Sequence, residues 1–217
     1  MKDLQLSNGE KLPTLEQYLK RAKKLKNVRL ILELKAHETP ERNREAAKAV
    51  VDMVKRMKLA KRTDYISFNM DACKEFIRLC PKSEVSYLNG ELSPMELKEF
   101  GFTGLDYHYK VLQSHPDWVK DCKVLGMTSN VWTVDDPKLM EEMIDLGVDF
   151  ITTDLPEETQ KYYIRGSIRH YKRLRSFVCC LSCRLALPVF CLLQAVELPK
   201  RNSCGLVDYG LWSGLAS

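Results

Sequence analysis

Residues 28–35, VRLILELK, decide the fold. In an extended strand successive side chains leave on opposite faces, so Glu33 and Lys35 share one face while Leu32 and Leu34 share the other. At the C-terminal end of a buried parallel strand, a carboxylate and an ammonium on one face suit a metal ligand and a phosphate-binding cation. An exposed edge strand with an ion pair between positions i and i+2 reads from the same letters.

The chain on either side argues for burial. Upstream, Thr14 is a candidate N-cap for a helix over 13–26, with Leu15, Leu19, Ala22 and Leu25 at helical spacing. Downstream, Thr39 and Pro40 open a helix over 41–57, and a regular alternation follows. Strands are predicted at 64–69, 84–88, 104–107, 128–134 and 148–153. Helices are predicted between them at 71–79, 93–100, 115–125 and 137–146. Six strands separated by helices define an α/β fold with parallel strands and right-handed crossovers. No glycine-rich phosphate loop follows any strand, which argues against dinucleotide and P-loop chemistry.

In such folds the functional groups collect at the C-terminal strand ends. Those ends carry Glu33 and Lys35, Ser67 and Asn69, Asn89, Asp106 and His108, Trp132 and Asp135, and Asp154. Asp135 and Asp154 also stand where helix N-caps are wanted, and Trp132 suits a core as well as a pocket.

Charge is divided unevenly. The formal net charge is +5, yet residues 166–217 hold seven Lys or Arg against two acids, so residues 1–165 balance at 27 of each sign. A neutral body without aromatic residues interleaved among basic ones gives no nucleic-acid face. Cys73, Cys80 and Cys122 read as isolated reduced thiols, while five cysteines crowd 179–204 without zinc-finger spacing. The N-terminus has no signal-peptide pattern, so a cytoplasmic location is the default expectation.

Four stretches, in order, carry a resemblance. LPTLEQYL at 12–19, LILELK at 30–35, ISFN at 66–69, and VWTVDD with FITTDLP at 131–136 and 150–156 resemble segments of the glycerophosphodiester phosphodiesterase family. The resemblance covers about residues 10–162. It implies a (β/α)8 TIM-type barrel that hydrolyses a small-molecule glycerophosphodiester, in lipid metabolism, to an alcohol and glycerol 3-phosphate with a divalent metal, Mg or Ca. It also implies Glu33 as metal ligand, Lys35 as phosphate contact and Trp132 as a pocket-lining residue.

The family's His-Arg-Gly, Glu-x-Asp and His-Asp motifs stand nowhere in this chain, so no catalytic residue is assigned. The six strands then correspond to barrel strands three to eight, an incomplete barrel with two open edges. On this reading residues 1–164 are a partial barrel with little activity alone, or a non-catalytic phosphate-binding remnant. Residues 165–217 are a basic, Cys-rich, apolar tail unrelated to the family. Its segment 177–196 reads as a membrane-associated stretch, as an extension that does not fold with the barrel, or as a folded accessory element.

Overall fold

In a computed structural model, residues 13–25, 28–159, 161–162, 176–179 and 191–197 are described. The order is α1 (Leu15–Lys24), β1 (Val28–Leu34), α2 (Pro40–Arg56), β2 (Thr63–Ser67), α3 (Met70–Leu79), β3 (Val85–Tyr87) and α4 (Pro94–Glu99). There follow β4 (Gly104–His108), α5 (Tyr109–Ser114), α6 (Asp117–Val124), β5 (Thr128–Trp132), α7 (Pro137–Leu146), β6 (Phe150–Thr153), β7 (Ser176–Cys179) and β8 (Cys191–Glu197).

The helices begin where the sequence offers caps. Thr14 closes a capping box with Gln17, and Ser93 closes one with Glu96. Thr39, Asn69 and Asp136 each accept a backbone N–H in the first turn of their helices. These bonds satisfy donors that no helical carbonyl can reach. Gly147 ends α7 at φ 85°, a left-handed conformation that costs glycine little.

β1 to β6 pair in sequence order, each parallel to the next, as the alternation requires. The register sets Glu33 beside Ile66 and His108 beside Trp132. At the two edges of this sheet the backbone of the C-terminal region takes part. β7 lies parallel to β6, and β8 lies antiparallel to both β7 and β1, which closes the ring. The remainder of the 165–217 tail, including 180–190 of the apolar stretch, lies outside the described residues. No described helix is long and apolar enough to cross a membrane.

Two cores result. Leu30, Leu32 and Leu34 join the large cluster between sheet and helices, with Val51, Tyr65, Phe76, Tyr107 and Met140. Ile31, Ile66 and Leu88 form a small cluster with Trp132 and Phe150 packed on it. β1 is therefore buried on both faces, and the edge-strand reading fails although its ion pair exists. Gly104 is demanded by close approach, since a Cβ there would stand 2.3 Å from Thr128 Oγ1 and 2.6 Å from Ser86 Oγ.

The N-terminal end of the barrel is held by charge. The Arg29 guanidinium forks onto the buried Asp64 carboxylate, with Nη2 to Oδ1 at 2.8 Å and Nε to Oδ2 as the second bond. Glu84 adds its backbone N–H to Asp64 Oδ1 at 3.2 Å. The carboxylate in turn raises the Arg29 pKa, chiefly through the hydrogen bond. Removing Asp64 leaves the part-buried Arg29 guanidinium with Glu84, at 3.8 Å, as a weaker carboxylate partner. Asp64→Ala is expected to lower unfolding stability by about 3 kcal/mol in guanidinium titration. A loss near zero would show that the pair does not hold the barrel end.

Candidate functional site

The opposite end of the barrel carries the site. Glu33 is 4% exposed and Lys35 reaches back to it, Nζ to Oε1 at 2.5 Å. Two contacts fix the end of β1 beneath them. Ser67 Oγ donates to the Leu34 carbonyl at 2.6 Å, tying β2 to β1. The buried Asn43 accepts the His37 N–H at 2.8 Å and donates to the Thr39 carbonyl at 2.9 Å, which pins the loop after β1 onto α2.

From Lys35 a run of rings crosses the mouth. The Lys35 ammonium stands 5.7 Å from the centre of the Phe68 ring. Phe68 meets Trp132 edge-on at 5.6 Å and 79°, and Trp132 meets His108 at 5.0 Å and 82°. Trp132 Nε1 donates to the Asp106 carbonyl at 2.9 Å, which fixes the indole over the small inner cluster. Glu33, Lys35 and Trp132, the three residues singled out from sequence, thus belong to one mouth. Asp135, a candidate cap, instead accepts the Thr153 hydroxyl and the Asp154 N–H, both at 2.8 Å, while Asp136 caps α7.

Phe68, Asp106 and His108 complete the arrangement. The signal for the last two was strand alternation, since Gly104, Asp106 and His108 share the inward face of β4. Sequence reasoning placed one helix at 115–125, whereas two are present. His108 caps α5, its Nδ1 accepting the Lys110 N–H at 3.2 Å, and histidine is an uncommon cap that propensity does not foresee. Burial, with help from the Lys110 charge, holds the His108 pKa below its usual value.

Asp106 is 1% exposed, and its Oδ1 has no partner among the described residues. Burial pushes its carboxyl up to about 8, the nearby Glu33 charge adds to this, and a hydrogen bond with Asn130 opposes it. It lines a cavity of about 20 Å³ with Ser86, Thr128, Asn130 and the Asp64 and Glu84 of the far end. That is room for about one water molecule.

The donor set can be weighed for a divalent cation. Among the described residues no group of three or more His, Cys, Asp and Glu could hold one. Glu33 is engaged by an ammonium, and Asp106 is buried. Hard cations take several oxygen ligands, six to eight in the case of calcium. One carboxylate paired with an ammonium and one buried carboxyl group fall short of that number.

An α/β barrel, parallel except at β8, with a polar, aromatic mouth at the C-terminal strand ends is the arrangement in which barrel enzymes carry their sites. The model of the glycerophosphoryl diester phosphodiesterase family matches residues 2–158, and the chain belongs to that family. It is 90% identical to a glycerophosphodiester phosphodiesterase of known crystal structure from Parabacteroides distasonis, with a TM-score of 0.74, covering 76% of this chain and 70% of that one. A glycerophosphodiester phosphodiesterase from Caldanaerobacter subterraneus subsp. tengcongensis is 29% identical over 112 residues, 50% of this chain and 45% of that protein. This chain thus spans less than half of that curated relative. An Oleispira antarctica phosphodiesterase, solved in complex with the product sn-glycerol-3-phosphate, shares the fold at 21% identity and a TM-score of 0.56, over 71% of this chain and 62% of that one.

A proton held in the folded state and released on unfolding makes stability fall as pH rises. For Asp106 the window runs from its ordinary value near 3.8 to about 8. Asp106→Asn is expected to flatten thermal stability across that window and to raise the melting temperature at pH 9. An unchanged pH profile would show that Asp106 is ionised in the fold. His108 contributes the opposite slope below its usual value of 6.5, where protonation favours the unfolded chain.

Proposed function

We propose that this mouth is the substrate-facing side of a phosphoric diester hydrolase acting on glycerophosphodiesters. The observation that carries the reading is the Lys35 ammonium, which sits at the rim beside Glu33 and an aromatic floor in a chain of this family. Lys35 offers a point charge to the non-bridging phosphate oxygens, at the cost of loosening its bond to Glu33. The Phe68 and Trp132 rings offer an apolar floor to the carbon side of the glycerol. The exposed rim of Lys35 and Phe68 leaves the phosphate open to water.

Hydrolysis breaks the bond between phosphorus and the leaving alcohol oxygen. A water oxygen takes its place, gives up a proton, and the alcohol gains one. A base and an acid must stand on opposite sides of the phosphorus. Among the described mouth residues Glu33 is engaged by Lys35 and Asp106 is buried, so His108 stands without a second group to share the two roles. The chain by itself therefore binds the phosphate ester and turns it over poorly.

Two measurements test this. Titration of the chain with sn-glycerol 3-phosphate is expected to show binding that Lys35→Ala weakens about tenfold or more, the usual effect of losing a charged hydrogen bond. Incubation with glycerophosphodiester and millimolar Mg or Ca is expected to release glycerol 3-phosphate at the background rate. Release at the rate of a complete family enzyme would overturn the inactivity, and Lys35-independent binding would overturn the phosphate site.

A further inference from the structure

The head-group side of the mouth lies at the end of β4. An imidazole that accepts a hydrogen bond at Nδ1 carries its hydrogen on Nε2. His108 accepts there from the Lys110 backbone N–H, so its other nitrogen is a fixed donor. The ring is half-buried, with Tyr109 against it at 4.2 Å and Trp132 at 5.0 Å. Its position is therefore set by packing rather than by solvent. Lys35 marks one end of the ring contacts across the mouth and His108 the other.

We propose that His108 contacts the alcohol portion of the substrate and selects hydroxyl-bearing head groups, such as glycerol or another polyol, over quaternary ammonium head groups such as choline. This rests on the glycerophosphodiester reading above. An N–H donor needs an acceptor, which a hydroxyl supplies and a trimethylammonium lacks. A site built around such a donor disfavours a ligand that leaves it unpaired.

Charge points the same way on this side of the mouth. Lys110 stands close enough to His108 to act on its proton, and Lys35 is a second ammonium at the rim. Aromatic faces do attract quaternary ammonium groups. Here the Phe68 face already carries the Lys35 ammonium, and Tyr109 lies against the His108 ring. Of the carboxylates at the mouth, Glu33 is paired with Lys35, Asp106 is buried, and Asp135 takes two hydrogen bonds.

The test uses the full chain and three probes: sn-glycerol 3-phosphate, glycerophosphoglycerol and glycerophosphocholine. Calorimetric titration is expected to give three- to tenfold tighter binding of the glycerol ester than of the choline ester, the scale of about one hydrogen bond. His108→Phe is expected to erase that ratio, and His108→Asn, which keeps a cap acceptor and an amide donor, to restore part of it. Nitrogen NMR of His108 supplies a readout without a variant, through a shift of Nε2 on adding glycerophosphoglycerol and a smaller one with glycerophosphocholine. Equal affinities, a choline preference, a ratio that His108→Phe does not move, or an Nε2 signal indifferent to both esters would overturn the inference. If sn-glycerol 3-phosphate binds through Lys35 while these signs are absent, only the head-group inference fails. If none of the three probes binds, the phosphate site fails and the inference with it.

Discussion

A strand inside a helix-covered barrel is buried on both faces, and β1 shows what that constraint demands. Its outward face is filled by Leu30, Leu32 and Leu34, which pack under the helices. Its inward face carries Arg29, Ile31 and Glu33, two charges and one apolar residue. A charge in that position is tolerated only when another group neutralises it, because desolvation costs several kcal/mol per ion. Arg29 meets Asp64 of β2, and Glu33 meets Lys35 just beyond its own strand. The first pair binds neighbouring strands together. The second lies at the rim, where one partner can swing toward a ligand.

That difference separates the two ends of the barrel by role. At the N-terminal end the fork between Arg29 and Asp64, with the Glu84 backbone added, is closed geometry with little left to offer a ligand. At the C-terminal end Lys35 is 41% exposed in its side chain while Glu33 is 6% exposed, so the ammonium is the half of the pair that a ligand can reach. Between the ends lies Asp106, whose carboxyl pKa burial pushes up. It supports the mouth through its backbone, which receives the indole of Trp132.

Most of the architecture was legible in the sequence because local chemistry and tertiary structure agree. Helix starts at Thr14, Thr39 and Ser93 follow from side chains that can accept a backbone N–H, and the strands follow from short apolar runs between them. Glu33 and Lys35 could be paired from spacing alone. What was not legible depends on contacts across the fold. The break between α5 and α6 turns on an imidazole cap, the aromatic run from Phe68 through Trp132 to His108 joins residues as far as 64 apart in sequence, and the raised pKa of Asp106 depends on burial by several strands. No periodicity encodes these. The closure of the ring by β7 and β8 was left open in the sequence, where a folded element was one of three readings of 177–196, since main-chain pairing leaves little mark on composition.

That closure has an evolutionary implication. Peptide hydrogen bonds do not discriminate among side chains, so what β8 must supply to β1 and β7 through its backbone is an extended stretch of seven residues without proline at the paired donors. That pairing by itself fixes length and conformation there. On β1, where alternate positions answer to helices on one side and to a charge ledger on the other, drift is confined to exchanges that satisfy both.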